Sequence, residues 1–316
     1  MSKIISSLLY WLLYVASLFP LGFFYFISDI MAFVFNYVLR YRRSVIDINI
    51  ARSFPELKYG EFKKIRKEYY KYVCDIGLES IWAISASARQ ICGMIRVENS
   101  QIMDDMITRH NKVITMMPHS GNWEILSGMC GESEKRNSDG FGWVSIILAY
   151  KAAENPIFDV VFNRMRMQEY AKVKNPGMPI ESKRVVRHVL KDKLEKGIYI
   201  FIADQSPLPG ERVVTRFLNQ PTLMLCGPEY VAVKLNLPVV YLSMSRQERG
   251  RYVVKFTTIT EDAGKTDHGF VTREYAKLVE KDIQENPHNW LWSHKRWKRD
   301  LTPQERAEYN RLFKSA

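Results

Sequence analysis

Short apolar runs alternate with segments of helical periodicity over most of the chain, a pattern typical of an α/β protein. Helical periodicity predicts that residues 53–106 are helical throughout, and the polar residues 131–140 are expected to form a mobile surface loop. Runs rich in β-branched residues predict buried strands at residues 112–117, 143–149, 198–203, 212–217, 238–243 and 252–258. Further helices are predicted to begin at residue 123 and to cover residues 155–167, 181–193, 226–234 and 272–284.

The N-terminal residues follow a different pattern. Residues 4–28 carry no charged side chain, and residues 30–39 continue apolar after the single Asp29. This run exceeds the ~20 residues that span a bilayer as a helix, and it is too long for the apolar region of a signal peptide. Pro20 and Gly22 allow a break into two interfacial helices, so one spanning helix and two interfacial helices both stay open. We predict a membrane anchor over residues 1–43 and, because no linker divides the remainder, one catalytic domain over residues 44–316.

The distribution of positive charge indicates the kind of binding partner and the orientation of the chain in a membrane. The formal net charge is +12, which favours an anionic partner: a membrane surface, an acidic protein, a phosphorylated substrate or a nucleic acid. Arg40, Arg42 and Arg43 follow the apolar segment, whereas only Lys3 precedes it, so the positive-inside rule predicts a cytoplasmic catalytic domain. Residues 292–299 alternate aromatic and cationic side chains, but beside a membrane anchor we do not expect nucleic-acid binding.

Several common chemistries have no motif in this sequence. The four cysteines are far apart and form no CxxC pair, which argues against a zinc site or a disulfide framework. There is no GxGxxG after a strand, no GxxxxGK[ST] and no HExxH. Pro118 occupies the first position of a would-be GxSxG motif at Ser120, which argues against an α/β serine hydrolase.

The stretch from Met117 to Glu124 is chemically the most specific. His119 follows a predicted strand, at the edge where open α/β sheets bind ligands, and Glu124 lies five residues further on. These two side chains meet only if the chain turns between them, and Gly121 permits that turn. A histidine held by a carboxylate is a general base for a hydroxyl nucleophile. A helix N-terminus capped by Ser120 or Asn122 explains the same spacing equally well.

This stretch is one of five sequence blocks that follow one another in order over most of the chain. They are Arg42-Arg43 with Asn49 and Phe54-Pro55-Glu56; His119-Ser120-Gly121-Asn122-Trp123-Glu124; Asn155-Pro156 with Arg164 and Arg166; Gly197 through Asp204-Gln205; and Trp292 through Lys298. Together they resemble the late acyltransferases of lipid A biosynthesis, the lauroyl and myristoyl transferases within the wider HxxxxD/E acyltransferase group. The resemblance implies an α/β fold like that of glycerolphosphate acyltransferases, with a central mixed sheet flanked by helices and an N-terminal membrane helix.

The resemblance also implies an activity. A fatty acyl group would pass from a thioester on acyl carrier protein to a hydroxyl of a lipid A precursor, at the cytoplasmic face of the bacterial inner membrane, without metal or other cofactor. His119 would be the catalytic base and Glu124 its partner. The positions expected to bind substrate are Asn122, Arg164, Arg166, Asp204, Lys295 and Arg296.

Two departures from the family pattern leave the substrate open. Residues 206–209 replace the usual aromatic and glycine after the Asp, and residues 223–226 stand where small hydroxyl residues are common. The same chemistry on a lysophospholipid, an aminoacyl lipid or a glycolipid is one alternative. A noncatalytic lipid-binding membrane protein with the same fold is the other.

Overall fold

The computed structural model of the chain describes residues 2–130, 145–150, 153, 155–172, 179–191, 196–207 and 212–313. The helices are α1 Ser2–Ser17, α2 Leu21–Phe33, α3 Arg43–Ser53, α4 Tyr59–Trp82, α5 Ala88–Cys92, α6 Gln101–His110, α7 Pro156–Lys172, α8 Ser182–Lys191, α9 Gly227–Leu235, α10 Phe270–Glu285 and α11 Pro303–Phe313. The strands are β1 Ile95–Val97, β2 Lys112–Met117, β3 Ser145–Tyr150, β4 Pro179–Glu181, β5 Gly197–Ile202, β6 Arg212–Phe217, β7 Gln220–Leu225, β8 Val239–Glu248 and β9 Arg251–Thr260.

Seven of these strands form one mixed sheet in the order β1-β9-β8-β2-β5-β3-β4. Strands β8 and β9 pair antiparallel, whereas the other neighbours are parallel. Strands β6 and β7 form a separate antiparallel hairpin. The sheet and its flanking helices confirm the predicted α/β fold class.

Strand β2 shows why its sequence forms a central strand. Alternate residues enter two different apolar clusters: Ile114 and Met116 pack into one, and Val113 and Met117 into the other. All four side chains are fully buried. Each such burial stabilises the fold by roughly 1.5–3 kcal/mol, so a strand with apolar residues on both faces is stable only between two helical layers.

Several elements differ from the expectations. The stretch 53–106 is not helical throughout, because Ile95–Val97 form β1, which pairs with β9 through contacts distant in sequence. Residues Trp123–Cys130 form a 3-10 helix, and β4, β7 and α11 were not predicted. The expected loop at residues 131–140 lies outside the described residues.

Two separate helices form the N-terminal segment, with Pro20 immediately before α2. Helix α1 packs on α7 and α4, and α2 packs on α4 and continues into a π-helical turn, Val34–Val38. Residues Leu21–Val38 are long and apolar enough to cross a membrane, by length and composition alone, and 22% of them are buried within the protein. The second helix therefore has one face in the protein interior and another at its surface.

Candidate active site

Strand register brings His119 next to Asp204. Strands β2 and β5 are parallel neighbours, and Met117 is aligned with Ile202 at their carboxyl ends. His119 and Asp204 each follow two residues later, so equal offsets place their side chains at the same edge of the sheet. The Nδ1 atom of His119 lies 2.6 Å from Oδ1 of Asp204.

Asp204 is held as a buried carboxylate. The backbone N–H of His119 donates to its Oδ2 at 3.0 Å, and Nε1–H of Trp290 donates to the same oxygen at 2.7 Å. Burial acts to raise the pKa of this carboxyl, but attraction to His119 and the hydrogen bonds from His119 and Trp290 outweigh it and lower the pKa to about 2. An ionised Asp204 favours the proton on Nδ1 of His119, which leaves Nε2 as the basic nitrogen. The amide Nε2 of Gln205 lies 3.2 Å from that atom.

A left-handed turn at Gly121 carries the chain away from His119. Gly121 has φ +62°, and a Cβ there would lie 2.7 Å from the backbone oxygen of Met244. The carbonyl of Gly121 accepts a hydrogen bond from the Tyr72 hydroxyl at 2.7 Å, and its N–H donates to Oδ1 of Asn289 at 3.3 Å. The predicted turn is therefore present. The backbone N–H of Gly121 already has an acceptor in Asn289, so this N–H is not directed at substrate.

Glu124 pairs with Arg166. The Nε and Nη2 atoms of Arg166 lie 3.1 and 3.0 Å from its two carboxylate oxygens. The indole N–H of Trp123 also donates to Glu124, at 3.2 Å, and the Trp123 ring stands edge-on to the His119 ring at 5.2 Å. The expected carboxylate contact to His119 is thus made by Asp204, and Glu124 holds an arginine beside the histidine.

The remaining predicted substrate-binding residues have diverse surroundings. Asn122 is fully buried, and its amide contacts Glu79 and the backbone of Glu124. The Arg164 guanidinium stacks on the Tyr10 ring of α1 at 3.7 Å, so it connects two helices instead of facing His119.

The two basic residues of the C-terminal block also differ from each other. Arg296 is buried and donates to the carbonyl of Leu223 at 2.6 Å. Burial lowers its pKa to about 10, against the opposing effects of Asp204 and Tyr275. Lys295 is exposed. Substrate contact by this pair stays a prediction.

Sequence reasoning did not single out His294 or Trp290. The ring Nε2 of His294 accepts the backbone N–H of Ser206 at 3.3 Å, next to Gln205. Burial lowers the pKa of His294 to about 4, and nearby Arg296 and His119 act in the same direction. Ser120 and Trp290 form a β-bridge that brings the C-terminal block to the site. The aromatic and cationic pattern of residues 292–299 was the available signal, but it gave no location.

The fold and the site define an α/β protein whose histidine and acidic side chains meet at the carboxyl edge of its sheet, where proteins of this class bind ligands. Comparison with protein families identifies the family: a family model described as bacterial lipid A biosynthesis acyltransferase matches residues 1–299. The chain belongs to this family, which confirms the resemblance of the five blocks and makes it an acyltransferase of lipid A biosynthesis. A search among curated proteins gave no significant match.

Proposed function

We propose that this acyltransferase moves a fatty acyl chain from a thioester on acyl carrier protein to a hydroxyl of a lipid A precursor, with His119 as general base. The observation that carries the mechanism is the short hydrogen bond between Nδ1 of His119 and the buried Asp204. It fixes the ring and its tautomer and stabilises the imidazolium that forms during reaction.

The reaction proceeds in two steps. The acceptor hydroxyl replaces the Gln205 amide at Nε2 of His119. Nε2 then takes the hydroxyl proton as the hydroxyl oxygen attacks the thioester carbonyl, a step for which a positioned base contributes about 10² to 10⁴ in rate. The tetrahedral intermediate then expels the thiolate, which receives the proton back from the imidazolium. An ester and a free thiol result, and the base is restored.

We assign Arg166 to the anionic parts of the reaction, because its partner Glu124 also accepts the indole N–H of Trp123, whose ring lies 5.2 Å from that of His119. The Arg166 side chain is 18% exposed and lies over the Tyr150 ring at 5.2 Å. We assign Glu124 the task of fixing this guanidinium, so that its positive charge stabilises an oxyanion or a phosphate of the acceptor. Glu124 then acts on catalysis through Arg166.

Attachment to the bilayer is proposed to use α1 and α2 as interfacial helices. One face of each is occupied by the protein, with Tyr10 and Phe24 buried. Their other faces expose large apolar side chains, at Ile4, Leu8, Trp11, Leu12, Val15, Phe23, Phe26, Ile30 and Phe33. Asp29, the one charged residue of the apolar run, is paired with Arg249 at 2.6 Å. A helix packed along the catalytic domain with an apolar outer face is suited to lie in the membrane interface.

The same features support a proposed location. The arginines after α2 favour a cytoplasmic catalytic domain, against the anionic inner leaflet of the bacterial inner membrane, where acyl carrier protein is available. The exposed Lys295 is available to the acidic carrier protein or to lipid phosphate.

Lipid analysis and a reconstituted assay test this function. Mass spectrometry of lipids from a deletion strain should show lipid A lacking one acyl chain. Purified protein should transfer the chain from acyl carrier protein to a lipid A precursor, faster than from coenzyme A. Unchanged lipid A together with another altered lipid class would point to a different acceptor. Lipid binding without turnover, unaffected by Glu124→Gln, would indicate a noncatalytic protein.

A further inference from the structure

Glu79 is a buried carboxylate at the junction of four parts of the fold. It belongs to α4, is 0% exposed, and accepts three hydrogen bonds from side chains. The Tyr25 hydroxyl of α2 donates to Oε1 at 2.9 Å. The Tyr252 hydroxyl of β9 and the Asn122 amide of the active-site turn donate to Oε2 at 2.6 and 2.7 Å.

Packing alone does not explain a carboxylate at this position. Burial raises the pKa of Glu79 even though hydrogen bonds from all three partners oppose the rise. An apolar side chain of similar volume would avoid this desolvation cost.

Asn122 connects Glu79 to the residues that surround the reaction. Its Oδ1 accepts the backbone N–H of Glu124 at 3.2 Å, while its Nδ2 donates to Glu79. The same helix holds the turn a second time, because Tyr72 donates to the Gly121 carbonyl at 2.7 Å. Residues seven apart lie on one face of a helix, so Tyr72 and Glu79 form two adjacent supports for the turn after His119.

Tyr25 connects the same carboxylate to α2. Its neighbour Phe26 is 64% exposed, on the apolar surface proposed to meet lipid. Continuous hydrogen bonds therefore run from Tyr25 through Glu79 and Asn122 to the backbone of Glu124. The seating of α2 on the catalytic domain and the geometry of the active-site turn share one buried acceptor.

We propose that Glu79 is a positioning residue for acyl transfer, which holds the turn between His119 and Glu124 in its reactive geometry and depends on Tyr25 of α2 for its own placement. This inference rests on the proposed function for its effect on rate, and on contacts alone for its effect on the turn. Glu79 acts through Asn122 and touches no substrate. Its loss should lower kcat and leave substrate binding almost unchanged.

Four variants separate positioning from general stability. Misplacement of reacting groups by about 1 Å costs up to ~10² in rate, so Glu79→Leu should lower kcat about 10- to 100-fold with KM changed less than about threefold. Tyr25→Phe removes one donor and should lower kcat about three- to tenfold. Glu79→Gln keeps an oxygen for Asn122 and Tyr252 and should retain kcat within about threefold.

Tyr70→Phe is the matched control. Tyr70 is buried and, like the half-buried Tyr25, ties α4 to the N-terminal segment: its hydroxyl donates to the carbonyl of Tyr41 at 2.7 Å. It has no bond to the turn. We expect its kcat to equal that of the unaltered protein. If Tyr25→Phe and Tyr70→Phe have the same kcat, or if the loss lies in KM alone, the positioning role is wrong. Tyr25→Phe decides the question if Glu79→Leu does not fold.

Amide hydrogen exchange provides a measurement independent of turnover. In the full-length protein in detergent, the peptide covering residues 119–126 should exchange at least about threefold faster in Tyr25→Phe than in Tyr70→Phe, because local opening follows the loss of its supports. Equal exchange would refute the structural claim even if transfer is normal. Absence of transfer by the unaltered protein, together with faster exchange, would refute the proposed function and retain the support.

Discussion

Arg166 holds both carboxylate oxygens of Glu124, from Nε at 3.1 Å and from Nη2 at 3.0 Å. Only about one-fifth of each side chain is exposed, which makes this pair less screened than a surface ion pair. Glu124, the predicted partner of His119, thus contacts Arg166 instead, and we propose different tasks for Glu124 and Asp204.

The task of Glu124 is tested by a double-mutant cycle. Glu124→Ala and Arg166→Ala should each lower kcat/KM by about 10², and the double variant should be no worse than either one, because both remove the same fixed guanidinium. Arg96→Ala, which breaks the exposed pair with Glu98, is the control and should have normal activity. Additive losses would show that Glu124 has a role apart from Arg166.

The task of Asp204 is tested by Asp204→Asn. Loss of the charge beside Nδ1 should lower kcat by about 10² to 10⁴, and His119→Ala should lower it at least as much. Circular dichroism should show a folded protein, since the amide keeps the volume. Near-normal turnover by Asp204→Asn would mean that another group orients His119.

Substitution of Gly121 should affect stability. Gly121→Ala places a Cβ at φ +62° against the backbone of Met244, and we expect unfolding to become easier by about 2–4 kcal/mol. The comparison is Gly60→Ala, near the start of α4, where nothing lies within 4 Å of the added Cβ and stability should rise by about 0.5–1 kcal/mol. Urea denaturation, monitored by tryptophan fluorescence, measures the free energy of unfolding of both variants. Equal stabilities for the two variants would contradict the tight contact at Gly121.

His294 should make stability depend on pH. Its pKa is lowered from 6.5 to about 4 in the folded protein, so the unfolded chain binds the additional proton between these values. The contribution of His294 to the free energy of unfolding is therefore fully present above pH 6.5 and is lost as the pH falls towards 4. His294→Gln should remove on the order of 1–2 kcal/mol of this dependence, after allowance for partial exposure. The check is the difference in unfolding free energy between pH 7 and pH 5; an unchanged difference in the variant would contradict it.

Membrane attachment should depend on the outer faces of α1 and α2. Leu12 and Phe26 are 61% and 64% exposed, and Leu12→Glu with Phe26→Glu should weaken binding to anionic vesicles by at least about tenfold, because two apolar side chains leave the interface. Tyr230→Glu alters a side chain that is 57% exposed on α9 and should bind normally. Flotation of vesicles measures each. Retained binding by the double variant would point to a different attachment surface.

The sequence predicted the fold class, which the structure confirms, but not which carboxylate contacts His119. Spacing within one block pointed to Glu124, whereas register between β2 and β5 selects Asp204, which is 85 residues away in the chain. Both segments were predicted as strands with a polar residue shortly after their ends. Their adjacency was the missing information, since periodicity within a strand does not specify its neighbour.

The short strand β1 was not predicted from the sequence for a related reason. Strand β1 has three residues, Ile95–Val97, and is stabilised by pairing with β9 instead of by its own pattern. Arg164 and Arg166 share one helix, yet only Arg166 faces Glu124, because residues two apart point in different directions. Helical phase relative to the site is set by packing, which the sequence does not display.

Phe24 and Ala32 make the N-terminal segment part of the protein core. Phe24 belongs to the apolar cluster on one side of the sheet, and Ala32 to the cluster on the other side. A shortened protein that begins at residue 44 would lose part of its own interior, not an appendage. The apolar N-terminal stretch is therefore an integral part of the folded domain, because α2 supplies side chains to the apolar layers on both sides of the sheet.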